Sequence, residues 1–245
     1  MRPRPLVVRL SFGALVAAGT LVAVAHRPAD IRLPTLRVPH TARSPTIDGE
    51  PTEAEWSQAA RTGPLALSNG VGFPRRAAEA GLLWDEHALY VAFWVEDREL
   101  TSPYGARDDD LFLADVCEIF LDPGGDGLDY VELEVSPRGV VFDARFPRVR
   151  HDLPRSRRWT AEGLRWAAQA NGTVDDPSDT DVGYSIEVAI PWAALGDAAR
   201  SQTLRANLFR IDVDARGNGA YAAWSPPIVG DFHTLDRFGT LQLVE

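Results

Sequence analysis

Thirty-five acids, five histidines and one cysteine are the side chains on which chemistry could rest in this 245-residue chain. The histidines are His26, His40, His87, His151 and His233, and no two of them are spaced as a metal-binding pair. Cys117 has no partner for an intramolecular disulfide. It sits in an apolar run, where a buried and inert thiol is expected. No G-x-S-x-G elbow, H-E-x-x-H helix or phosphate-binding glycine loop occurs. The acids say more. Asp122, Asp126 and Asp129 are interleaved with Gly124, Gly125 and Gly127. Hard oxygen ligands on a tight turn are the set that a structural calcium ion takes, and the same acids also suit a turn that binds nothing. Asp175, Asp176, Asp179 and Asp181 form a second such set. Glu118, Glu132, Glu134 and Glu187 lie in strand-like runs. Two of them could flank a glycosidic bond as hydrolysis requires, or all four could belong to solvated or arginine-paired sheet faces.

The elements that position these groups read as strands. Val131, Leu133 and Val135 alternate with Tyr130, Glu132 and Glu134, and Tyr184, Ile186, Val188 and Ile190 alternate with Ser185, Glu187 and Ala189. Period two with one apolar and one polar face predicts antiparallel sheets buried on a single side. About ten such runs without long helices between them predict an all-β fold, a two-sheet antiparallel β-sandwich. One or two short helices accompany it: Thr52–Ala60, with Thr52 as cap, and a turn at Pro191–Leu195. Two segments break the rhythm and are expected as long surface loops: 144–163, with arginines at 145, 148, 150, 155, 157 and 158, and the acidic 175–181.

The chain opens with Arg2, Arg4 and Arg9, then an apolar run from Leu10 to Val24, then Ala23-Val24-Ala25. That order predicts a signal peptide, residues 1–25, cleaved after Ala25, and a secreted or periplasmic product. The run falls short of the roughly 20 residues that span a bilayer, so no membrane span is expected after cleavage. Residues 26–45 carry four prolines and predict a linker, leaving 46–245 as the folded domain. The formal charge is −10, and loss of three arginines takes it to about −13. Such a surface repels nucleic acid. Lysine is absent and Met1 is the only methionine, which removes Schiff-base chemistry and leaves a b-type heme only a bis-histidine site. No cofactor is required by any of these residues.

Several phrases, taken in order, resemble the family 9 carbohydrate-binding modules. They are Thr46-Ile47-Asp48-Gly49 with Trp56, Leu83-Trp84-Asp85, Arg107-Asp108-Asp109 and Asp115-Val116-Cys117-Glu118-Ile119-Phe120-Leu121-Asp122. Ile186-Glu187-Val188-Ala189-Ile190-Pro191, Asn207, Trp224-Ser225 and Phe238-Gly239 follow. The resemblance implies a slot for the end of a sugar chain between two aromatic walls, with a glutamate bonding the hydroxyls. Carried over, the walls fall on Phe112 and Phe232 and the glutamate on Glu118, with His233, Arg107 and Asp115 as further ligand contacts. The chain departs from the family pattern at both walls, where tryptophan becomes phenylalanine. It departs again at Glu134 and Phe209, which replace an arginine and a glutamine. The implied function is an exported, non-catalytic protein that binds a mono- or oligosaccharide. The arginines of 145–158 suggest an acidic glycan, because guanidinium groups bind carboxylates in bidentate fashion. Three other functions fit the same residues: an interaction protein with a degenerate sugar site, a glycoside hydrolase and a heme-binding domain.

Overall fold

Alternation along the strands builds two sheets, seen in a computed structural model that describes residues 32–196, 199, 202–214 and 216–245. The expected signal peptide lies outside the described residues. Thirteen strands form: β1 (Thr35–Pro39), β2 (Ala60–Pro64), β3 (Ala66–Leu67), β4 (Ala78–Trp84), β5 (Ala88–Glu96), β6 (Val116–Asp122) and β7 (Leu128–Val135). They continue with β8 (Val141–Arg148), β9 (Arg165–Asn171), β10 (Gly183–Pro191), β11 (Thr203–Val213), β12 (Gly219–Ala223) and β13 (Gly239–Val244). The helices are single turns, α1 (Leu153–Ser156) and α2 (Trp192–Leu195). Among the described residues no helix is long and apolar enough to cross a membrane.

One sheet has five strands in the order β2-β4-β5-β10-β9, all antiparallel. The other has eight, with the path β1-β13-β11-β6-β7-β8. Here β13 takes the first part of β11 and β12 takes the second, both on the edge opposite β6, and β3 extends β12. Only β1 and β13 run parallel among the paired strands. Ile119, Leu121, Val131 and Leu133 from one sheet and Leu89, Val91, Phe93, Val188 and Ile190 from the other belong to one core cluster. This is the two-sheet sandwich that the alternation predicts.

Four expectations are corrected. Residues 35–39, read as linker, form β1, and the folded unit runs from Leu33 to Glu245. Proline is tolerated there because β1 is an edge strand. The helix expected at 52–60 is a 3-10 turn, Ala54–Gln58, without a side-chain cap. It forms because Trp56 is pulled into Glu187, whose carboxylate also accepts the N–H groups of Asp48 and Gly49. Gly49 has φ 95°, and a Cβ there would meet the backbone of Ala168 at 2.8 Å, so only glycine fits. The segment 144–163 is not all loop, since β8 and α1 occupy part of it. The face read as polar on β7 is buried, with Tyr130 and Glu134 at 0% exposure and Glu132 at 6%. A second apolar cluster, containing Phe120, Tyr130, Phe142, Phe146, Phe209 and Phe238, covers the outer side of the eight-stranded sheet.

Candidate binding site

The outer face of the eight-stranded sheet holds a pocket of about 790 Å³. Its floor comes from neighbouring strands. Antiparallel register sets Glu118 of β6 directly opposite Glu134 of β7, and Phe120 opposite Glu132. Since side chains alternate, the three glutamates share one face of the sheet. Their carboxylates lie within 4.8 Å of one another, and all three are buried. The walls come from two distant segments. Phe112 stands on the 3-10 turn Leu111–Leu113 and is 39% exposed. Phe232 stacks flat on Phe209 of β11, with centroids 4.0 Å apart, and meets Tyr221 edge-on. His233 lies beside it, with Nδ1 2.6 Å from the Tyr130 hydroxyl and Nε2 4.0 Å from Glu132.

Phe112, Glu118, Phe232 and His233 therefore line one pocket. Arg107 and Asp115 do not. Arg107 donates to Asp143 at 2.7 Å and lies 5.4 Å from the Trp166 ring, where it ties a loop to β8. Asp115 is fully buried and accepts the N–H groups of Thr101 and Val213. It converges with Asp97 and Asp212. Arg210 pairs with two of the three: it is 1% exposed and bonds Asp97 at 2.8 Å and Asp212 at 3.3 Å. Asp122, Asp126 and Asp129 do not converge as a metal site. Asp122 accepts the N–H groups of Gly125 and Gly127, Asp126 accepts that of Leu128, and Asp129 pairs with Arg145. Their carboxylates shape the turn. Three of the six arginines between 145 and 158 hold the protein's own acids: Arg145 with Asp129, Arg150 with Asp231 and Arg157 with Asp110.

Glu132 escaped the sequence reading as a pocket residue, and Glu134 entered it only as the replacement of a family arginine, because polar alternation on a strand ordinarily marks a wet face. The signal was present in the aromatic partners. Tyr130 on the same face, with Phe142 and Phe146 on the next strand, makes a sheet surface too apolar to leave exposed.

Burial and mutual repulsion push the floor acids upward. Desolvation, then the nearby Glu132 charge, holds Glu118 well above the usual carboxylate range. Desolvation and Glu118 do the same to Glu134, and desolvation takes Glu132 to about 7. Asp115, desolvated beside Asp97, rises to about 8. His233 is pushed down to about 4, first by burial and then by Arg150, so it is neutral at pH 7. The signs follow. Acids with raised values hold protons in the fold that the unfolded chain has already released, so their contribution to stability falls as pH rises to the folded value. His233 acts the other way, but only between its folded value and its ordinary 6.5. Above pH 6.5 the acids act alone. The unliganded protein should therefore melt at a lower temperature at pH 8 than at pH 6.5. Calorimetry at fixed ionic strength checks this, and an unchanged or rising melting temperature would contradict it.

Comparison with known proteins adds the context of the fold. The model of the family described as "Carbohydrate family 9 binding domain-like" matches residues 47–245. An exoglucanase, XynX, of Acetivibrio thermocellus is 25% identical over 212 residues, covering 82% of this chain but 16% of its own length. Two solved family 9 modules from Caldicellulosiruptor kristjanssonii share the fold at 20% identity. The one in complex with cellotriose has a TM-score of 0.62, covering 86% of this chain and 93% of the module. The one in complex with glucose has a TM-score of 0.59, covering 85% and 95%. Other matched phrases prove to be structural, as where Asn207 bonds the backbone of Ser225 in both directions. With the family model extending from the Asp48-Gly49 turn through β13, the chain belongs to the carbohydrate family 9 binding domain-like proteins.

Proposed function

We propose that this protein binds carbohydrate, taking a sugar or glycan end into the pocket bounded by Phe112 and Phe232 with Glu118 on its floor. The observation that carries this reading is the convergence of Phe232 with Phe112 and Glu118, which lie in a distant part of the sequence, around one pocket of sugar-sized volume. Aromatic faces offer the apolar surface on which a pyranose ring packs, and a buried carboxylate accepts hydroxyl hydrogen bonds. Family membership and the solved module holding cellotriose support the same site class. The role is binding rather than catalysis. The family match is to a binding domain. Export through the basic and apolar leader, residues 1–25, would place the protein where glycans are met. An acidic glycan is disfavoured, because the floor itself is acidic.

Titration calorimetry with cello- and xylo-oligosaccharides tests the site. Phe112→Ala and Phe232→Ala should each weaken binding by about 1–3 kcal/mol, the worth of one buried aromatic side chain. Glu118→Gln should weaken it without unfolding the domain. Melting curves of each variant separate loss of affinity from loss of fold, which matters most for Phe232 because it packs on Phe209. A sugar bound with unchanged affinity by all three folded variants would place recognition elsewhere.

A further inference from the structure

Two groups of three converging acids occur among the described residues, and the protein treats them differently. In the first, Asp97 and Asp212 pair with the guanidinium of Arg210, and Asp115 lies beside them. Glu118, Glu132 and Glu134 have no such cation. Within 4.0 Å their one ion-pair contact is His233 on Glu132, and that imidazole is held neutral. The two arginines near the pocket pair with other acids, Arg150 with Asp231 and Arg157 with Asp110, and reach Glu132 and, for Arg157, Glu134 only beyond ion-pair distance. Glu134 shows the deficit most directly. It is fully buried, it lines the pocket, and its carboxyl group meets no donor other than the neighbouring Glu132 carboxyl. A buried carboxyl group without a counter-ion keeps its proton, and a cation entering the pocket would let it ionise.

Resting on the carbohydrate reading above, we propose that the partner is the ligand's own positive charge: the pocket takes an amino sugar, with a free ammonium group received by Glu118, Glu132 and Glu134. An ammonium carries three N–H donors, and three carboxylates converge to accept them. The rest of the lining suits an organic cation. Phe112 and Phe232 line the pocket with aromatic surface for cation–π contact and for the sugar's C–H groups. A calcium ion would want six to eight oxygens, and beyond the glutamates this pocket presents mainly aromatic and aliphatic groups. A cavity of about 790 Å³ also far exceeds the needs of a bare ion.

Titration calorimetry on the purified protein at pH 7, with the β-1,4-linked disaccharide of glucosamine, its di-N-acetylated form, cellobiose and calcium chloride, tests this. The glucosamine disaccharide should bind at least tenfold more tightly than cellobiose or the acetylated form. Glu134→Gln should shrink that preference toward unity, with a melting curve confirming the fold. Cellobiose binding as well as the amino sugar would overturn the inference and leave the carbohydrate reading standing. Saturable calcium binding that Glu134→Gln removes, without an amino-sugar preference, would assign the glutamates to a metal. Failure of all three sugars would overturn both readings.

Discussion

Replacing Arg210 with alanine should destabilise the fold by about 3–5 kcal/mol, the usual cost of removing one partner from a buried ion pair. Arg210 lies on β11 in the eight-stranded sheet, and Asp97 follows β5 in the five-stranded one, so the pair ties the two sheets. Its guanidinium also donates to the Arg76 carbonyl at 3.1 Å. Without it, Asp97, Asp115 and Asp212 face one another with no cation between them. Urea unfolding at pH 7 measures the loss. Pairing Arg210→Met with Asp97→Asn should recover part of it, because the uncompensated charge is then removed along with its partner. A loss below about 1 kcal/mol for Arg210→Ala would mean that the acids are already neutral in the fold.

Glu187→Ala should be nearly as damaging, at about 2–4 kcal/mol, since three donors lose their acceptor at once. Glu187 Oε2 accepts the N–H groups of Asp48 and Gly49 at 3.1 and 2.8 Å, and Oε1 accepts the Trp56 indole N–H at 2.7 Å. The loop of residues 47–56 is thereby clamped to the outer side of β10. Glu187→Gln retains one oxygen acceptor and should cost visibly less. Near-ultraviolet circular dichroism would report the freed Trp56 directly. Equal effects from both substitutions would indicate that side-chain volume rather than hydrogen bonding holds the loop.

The strands β7 and β10 were legible because each carries a full alternation with one continuous apolar face. The pocket walls were legible only through family resemblance, since Phe112 and Phe232 lie in segments without periodicity. Three things were hidden. Polar alternation on β7 reads as a wet face, and its burial depends on segments 111–113 and 230–238, which strand pattern alone does not bring near. The Pro-rich approach looked like linker, because an edge strand of five residues carries too little pattern to outweigh Pro34 and Pro39. Arg210 sits among Leu208, Phe209 and Ile211, and nothing local distinguishes a buried cation from one facing water. In each case the deciding contact is long-range.

The stretch from Phe232 to Phe238 serves two ends at once. Phe232 and His233 border the pocket, while Leu235 and Phe238 close the apolar cluster over the eight-stranded sheet. Specificity and foldedness are thus written into the same few residues. An evolving or engineered variant cannot exchange this stretch for a new recognition loop as antibody-like scaffolds do, because the sheet beneath would lose its cover. Changes of sugar preference in this lineage are therefore expected as point substitutions compensated elsewhere, with the stability margin of the sandwich limiting how many can accumulate.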